Sequence, residues 1–112
     1  DALLGALALG DIGFHFPDTD DEFKDIDSKI LLKKCIELMN NKGYKVVNID
    51  STLCLQLPKI KPYVSKMQEV IASISGIGIS DISIKATTTE TLGFIGREEG
   101  LKAYATVLLC KK

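Results

Sequence analysis

YKVVNIDSTLCLQL, residues 44–57, is the stretch that decides the fold. Val47, Ile49, Leu53, Leu55 and Leu57 fall on one parity, while Val46, Asn48, Asp50, Thr52, Cys54 and Gln56 fall on the other. A period of two is the pleat of a β-strand, and the unequal polarity of the two sets predicts one buried face and one wetter face. Pro58 ends the strand, since proline has no N–H to give to a ladder. Immediately upstream the period changes. Leu31, Leu32, Cys35, Ile36, Leu38 and Met39 recur at helical spacing. Ser28, preceded by Asp27, is the predicted N-cap of a helix running to about Lys42, and Gly43 supplies its stop.

Further out, Ala2, Leu3, Leu4, Ala6, Leu7 and Leu9 predict a helix that Gly10 closes, and GDIGFHFPDTD (residues 10–20) predicts a structured loop. Downstream, a helix is expected from about Pro62 to Ile74, broken by Gly76 and Gly78. Ile82 to Thr88 reads as a strand, Thr89 to Gly100 as a turn-rich loop, and Leu101 to Cys110 as the last strand. The order helix, helix, strand, helix, strand, strand predicts an α+β fold, a small sandwich with helices on one face of a sheet. Residues 1–112 are expected to form a single domain, since 112 residues suffice for one compact unit and not for two.

Hydrophobic residues make up 46% and charged residues 26%, the balance of an ordinary globular domain. A net charge of −1 gives no basic field for a nucleic-acid partner, and no apolar run reaches bilayer length, so neither nucleic acid nor membrane is expected. A domain of this size gains from burying a face against copies of itself. The chain opens on Asp1, in what reads as the middle of a helix, which leads to the expectation of a fragment, a processed protein or a leader that is not seen. Cys35, Cys54 and Cys110 are widely spaced and set among apolar residues, and are expected to be buried, reduced thiols.

Several segments carry chemistry. In GDIGFHFPDTD, Asp11, Asp18 and Asp20 present acceptors from a proline-braced loop, which suits the hydroxyls of a ribose or polyol. A capped turn accounts for the same aspartates and outweighs the ligand site on chemistry alone. His15, the only histidine, lacks companions for a metal site or a triad and reads as a packed residue. LQLPKIK (residues 55–61) leaves a strand through a proline into Lys59 and Lys61. Its free backbone groups can pair with a base edge, or it is a solvated turn. KATTTE places Thr87, Thr88 and Thr89 at a strand end, where hydroxyls and N–H groups can cradle a phosphate. Glu90 beside them offers a hard carboxylate for Mg²⁺ or Mn²⁺, while β-propensity alone also explains the threonines. Arg97, the sole arginine, suits a diphosphate or an ion pair with Glu98 or Glu99.

In order and spacing, DALLGALALGDIGFHFPDTD, NKGYKVVNIDSTL, QLPKIKP, IKATTTETLGF and GREEG resemble the 2-C-methyl-D-erythritol 2,4-cyclodiphosphate synthase family across all 112 residues. The pairing of FPDTD with KATTTE is specific, although either piece alone is not. The resemblance implies a phosphorus–oxygen lyase of the non-mevalonate isoprenoid pathway. Its substrate would be 4-diphosphocytidyl-2-C-methyl-D-erythritol 2-phosphate, and its products the 2,4-cyclodiphosphate and CMP. It also implies a homotrimer whose sheets pack around a three-fold axis, with active sites between subunits. The setting would be bacterial cytoplasm or a plastid, the apicoplast of apicomplexan parasites included.

Carried over by position, the resemblance assigns Asp11, Ile12 and Gly13 to the ribose, and Phe16, Pro17, Asp18, Thr19 and Asp20 to the methylerythritol. Leu55, Gln56, Leu57, Pro58, Lys59, Ile60 and Lys61 match the cytosine pocket, reached from the neighbouring subunit. Thr87, Thr88, Thr89 and Glu90 match the phosphate cradle, with Thr88 as transition-state stabiliser and Glu90 near a second, Mg²⁺-like ion. Phe94 and Arg97 match positions that close the site and line a cavity on the three-fold axis able to hold an isoprenoid diphosphate. The family's zinc ligands would precede Asp1, and His15 aligns with none of them. Residues 1–112 alone are therefore expected to be inactive. Ile95 and Glu98 stand where many members have Thr and Gly, and Leu55 and Lys61 replace commoner small and apolar residues. Two other readings remain. One is a non-catalytic trimeric module binding CMP or an isoprenoid diphosphate. The other is one part of a bifunctional cytidylyltransferase–cyclase.

Overall fold

The computed structural model describes all residues, Asp1–Lys112. Its elements are α1 (Ala2–Ala6), α2 (Ile12–His15), α3 (Ser28–Asn41), β1 (Tyr44–Cys54), α4 (Val64–Ser75), β2 (Ile82–Thr87), α5 (Gly93–Gly96) and β3 (Lys102–Lys111). The three strands form one mixed sheet in the order β2-β1-β3, with β1 parallel to β2 and antiparallel to β3. The α+β class follows directly, as the periodicities predict. A parallel pair requires a crossover, and α4 supplies it between β1 and β2.

Helices α1, α3 and α4 pack on β3, β1 and β2 respectively. Their apolar stripes meet the sheet in a cluster that includes Leu3, Leu4, Leu7, Cys35, Ile36, Met39, Val46, Ile49, Ala72 and Ile82. Leu4 and Met39 are its most completely enclosed side chains. Burying one such side chain is worth roughly 1.5–3 kcal/mol, so this layer is where the helices gain their hold. The other sheet face is open. It carries an ion pair of Asp50 and Lys85 (2.7 Å), with Tyr104 and Leu108 exposed nearby in the register.

Local details differ from expectation in instructive ways. The parity predicted for residues 44–57 holds only in its second half. Val46 pairs with Leu109 and Asn48 with Leu108, so Val47 is an extra residue in a β-bulge. The bulge turns Val46 inward (5% exposed) and leaves Val47 out at 39%, after which Ile49 resumes the buried set. The strand stops at Cys54, and Leu57 is exposed. Helix α1 ends at Ala6 rather than near Leu9, because Ala8 takes a positive φ of 55°. The cap of α3 is Asp27, whose Oδ1 accepts from the Lys29 N–H at 2.9 Å; Ser28 is the first helical residue. The Lys29 ammonium, 2.9 Å from Asp27 Oδ2, and then that backbone bond hold the Asp27 carboxyl below its ordinary pKa. Pro62 lies in a short 3₁₀ turn, Lys61–Tyr63, that leads into α4. All three cysteines are free, but only Cys35 is buried, where desolvation raises its thiol pKa.

Candidate active site

Parallel strands deliver their carboxyl ends to the same edge of a sheet, and the crevice beyond those ends is where open α/β sheets bind ligands. Here β1 and β2 end together. The Leu55 N–H donates to the Thr87 carbonyl at 3.0 Å, carrying the ladder one step past β1. Just beyond lies a cleft of about 510 Å³ lined by Leu55, Pro58, Lys59, Ile60, Lys61, Val64, Ser65, Ile84, Ala86, Thr87 and Thr88. Two predicted clusters, the LQLPKIK exit and the threonine run, are thus brought together within one chain. The mouth carries the exposed Lys59 and Lys61, whereas Leu55 is buried. Gln56 and Leu57 belong to the same turn but do not line the cleft, and the Leu57–Pro58 peptide is cis. Sequence reasoning missed Val64, Ser65, Ile84 and Ala86. Alternation could have found the last two, since Ile84, Ala86 and Thr88 share one parity of ISIKATTT.

The threonines differ in what their hydroxyls still offer. Thr87 Oγ1 donates to the Thr88 carbonyl (3.1 Å) and Thr89 Oγ1 to the Leu92 carbonyl (2.6 Å), so both protons are committed. Thr88 Oγ1 instead accepts, from the Glu90 N–H at 3.3 Å. Its own O–H is therefore left to donate into the cleft that Thr88 lines. Glu90 and Thr91 both sit at positive φ (54° and 67°), a strained conformation for residues with side chains and costliest for β-branched Thr91. Helix α5 holds them there. A Cβ on Gly96 would land on the Thr91 backbone carbonyl, so only glycine allows this approach.

The aspartate loop is a separate site. Asp11 caps α2, its Oδ1 accepting from the Phe14 N–H at 2.9 Å, and Asp20 Oδ1 accepts from the Glu22 N–H at 3.0 Å. The capped-turn reading thus describes two of the three aspartates. Ile12, Gly13, Phe16, Pro17, Asp18 and Thr19 line a second hollow, closed on its far side by Phe23, Asp25, Ile26 and Leu31. The two hollows share no lining residue. Phe94 and Arg97 also line neither. Arg97 Nε pairs with Glu99 at 2.6 Å, and the Lys102 ammonium lies 5.7 Å from the centre of the Phe94 ring.

No group of three or more His, Cys, Asp or Glu side chains converges anywhere in residues 1–112. A zinc site takes at least three protein ligands, so these residues do not fit one. Glu90, exposed beside the threonines, is a single carboxylate. That is what Mg²⁺ asks of a protein when substrate phosphates supply the rest.

Residues 1–110 match the profile of the YgbB family. The chain belongs to that family. Curated relatives in it include 2-C-methyl-D-erythritol 2,4-cyclodiphosphate synthases from Bacteroides thetaiotaomicron and Porphyromonas gingivalis strain ATCC 33277. They are 63% and 56% identical, covering 99% and 97% of this chain and 70% and 67% of their own lengths. Solved structures agree. The bifunctional IspDF of Campylobacter jejuni superposes with a TM-score of 0.95 at 44% identity, over 100% of this chain and 30% of that one. The Plasmodium falciparum IspF complex with CDP gives a TM-score of 0.87 at 34% identity, over 100% of this chain and 67% of that one. The family is the lyase family of 2-C-methyl-D-erythritol 2,4-cyclodiphosphate synthase in the non-mevalonate isoprenoid pathway, and membership implies a divalent metal. No helix is long and apolar enough to cross a membrane.

Proposed function

We propose that this chain binds 4-diphosphocytidyl-2-C-methyl-D-erythritol 2-phosphate with its cytidine end in the cleft beyond β1 and β2, and helps close the 2,4-cyclodiphosphate ring. The observation that carries the reading is the meeting of Leu55–Lys61 with Thr87–Thr88 in one cleft. The base would sit against the apolar floor of Leu55, Ile84 and Ala86, paired with backbone groups of the LQLPKIK turn. Lys59 and Lys61 would supply charge at the mouth. Thr88 would then donate its free hydroxyl proton to an oxygen of the β-phosphate.

In the reaction an oxygen of the 2-phosphate bonds to the β-phosphorus. The bond from that phosphorus to the bridging oxygen breaks, and the oxygen departs on CMP. No protein nucleophile is needed, so the chain's work is to position two crowded anions and stabilise the charge shared between them. Glu90 would offer its carboxylate to a Mg²⁺ or Mn²⁺ shared with the phosphates. A Zn²⁺, as the resemblance implies, would have to take its ligands from elsewhere than residues 1–112.

The separation of the two hollows favours a site shared between subunits. In a homotrimer built around a three-fold axis, the Asp11–Asp20 loop of one subunit would face the threonine cleft of the next. Asp11, Ile12 and Gly13 would hold the ribose and Phe16–Asp20 the methylerythritol. The exposed Tyr104 and Leu108 on the open sheet face suit such an assembly. Phe94 and Arg97 would close the site and line an axial cavity able to take an isoprenoid diphosphate. The setting would be bacterial cytoplasm or a plastid.

Phosphorus NMR of the protein with this substrate and divalent metal tests the reading. Equimolar cyclic diphosphate and CMP are expected from the full-length protein, and their absence from folded, metal-supplied full-length protein would overturn it. CMP alone should raise the unfolding temperature, because the cleft lies within one chain.

A further inference from the structure

We propose that His15 is a positioning residue that tethers the Phe16–Asp20 loop. The inference rests on the reading of that loop as the polyol-binding segment. His15 ends α2 and is half-buried, with Nε2 2.7 Å from the Leu9 carbonyl oxygen. A carbonyl only accepts, so Nε2 carries the proton and the imidazole donates. The bond joins the residue just before the loop to the chain leaving α1.

That anchor point is itself held. Lys42, at the end of α3, donates from Nζ to the Leu7 carbonyl at 3.1 Å. The Ile12 N–H donates to Asp1 Oδ1 at 2.8 Å. Two aromatic rings lie near the imidazole. Phe14 stands edge-on at 5.1 Å between centroids and Phe16 lies tilted at 6.0 Å, with Phe16 in turn against Phe23 at 5.5 Å. Asp18, by contrast, is exposed and takes no part in any hydrogen bond or ion pair within the chain. Its place is set by backbone alone, between the His15 tether on one side and the Asp20 turn on the other. Loosening the tether widens the range over which Asp18 wanders, and that lost order is charged directly against polyol binding.

The choice of variants follows from which nitrogen donates. Glutamine places an amide nitrogen near the position of Nε2, asparagine places one near Nδ1, and leucine places none. In the metal-supplied enzyme, His15→Leu and His15→Asn should raise KM for the cyclase substrate roughly five- to ten-fold, the scale of one lost hydrogen bond, with kcat little changed. His15→Gln should recover most of the loss. CMP affinity should fall by less than substrate affinity, because the base sits in the threonine cleft, which shares no lining residue with this loop, and only the ribose meets Asp11–Gly13. Hydrogen–deuterium exchange over residues 11–20 should quicken in the Leu and Asn variants and return in Gln, with α3 and α4 unchanged. Equal behaviour of Asn and Gln, or parallel losses in KM, CMP affinity and unfolding temperature, would overturn the tether. The exchange measurement needs no turnover. A full-length wild-type protein that makes no cyclic product would overturn the cyclase reading while leaving the tether to stand or fall on exchange.

Discussion

The threonine cleft and the aspartate loop are built by opposite means. The cleft lies where two parallel strands end, so its position is fixed by a sheet ladder that runs on to the Leu55–Thr87 bond. The loop has no ladder. Side chains bonding the backbone a few residues away shape it, Asp11 to Phe14 and Asp20 to Glu22, with His15 reaching back to Leu9. A ladder-built site should keep its geometry until the sheet fails, whereas a cap-built site can be loosened one bond at a time. The difference suits their proposed tasks. Phosphates in reaction need fixed donors, while a flexible polyol can be met by a loop that adjusts.

The sharpest way to test the contrast is Thr88→Ala. This change removes the one uncommitted hydroxyl in the run and disturbs no backbone bond beyond the Glu90 N–H contact. Turnover should fall by about 10²–10³, the usual loss for one transition-state donor, while the unfolding temperature barely moves. A matching loss of fold stability, seen by calorimetry, would make the threonine structural instead.

Gly96→Ala reaches the same cleft through its scaffold. The added Cβ cannot coexist with the Thr91 carbonyl, so residues 89–96 must shift and the Glu90 and Thr91 conformations relax. Turnover should fall roughly ten- to a hundred-fold, with a loss of about 1–3 kcal/mol in denaturant unfolding. CMP affinity should suffer less than turnover, because Leu55–Lys61 lies on the other strand. Full activity in this variant would mean that the strained loop does not set the position of Thr88.

The smallest effect is expected from Asp50→Asn on the open sheet face. The hydrogen bond and charge of Lys85 hold the Asp50 carboxyl below its ordinary 3.8. A carboxylate with a depressed folded pKa stabilises above its unfolded pKa, and that contribution is lost as pH falls through the folded value. Wild type should therefore be slightly the more stable at neutral pH, with the gap closing below about pH 4. Both partners are half exposed, so the gap is small. A gap that persists in acid would point to packing rather than charge.

Much of this was legible in the sequence. Helix α3 and the second half of β1 follow from period, α4 from Pro62 at its start and the glycines beyond its end, and the capped-turn reading of Asp11 and Asp20 from residue type. What the sequence conceals is competition between equals. Val46 and Val47 are the same residue, and only pairing with Leu109 and Leu108 decides which one turns inward. Asp27 and Ser28 are both good caps, and the choice falls to the side chain that reaches the Lys29 N–H. The three threonines look alike until their acceptors are known. The resemblance named the binding segments. It could not show that the aspartate loop and the threonine cleft are lined by separate sets of residues, because which segments share a hollow is a property of the folded chain.

The bulge at Val47 also says where this gene can change length. From Ile49 to Cys54 every residue is counted, because each has a partner on both neighbouring strands. One residue added to β1 beyond the bulge would flip Ile49 and Leu53 outward and carry Leu55 off the cleft floor. One residue removed at the bulge would instead regularise the strand and set Val46 against Ile49. The run from Asp21 to Asp25, beyond the residues assigned to the polyol, carries no such register and lies outside every helix and strand. Insertions found among natural variants, or tags introduced by design, should therefore collect in that run and be purged between Asn48 and Cys54.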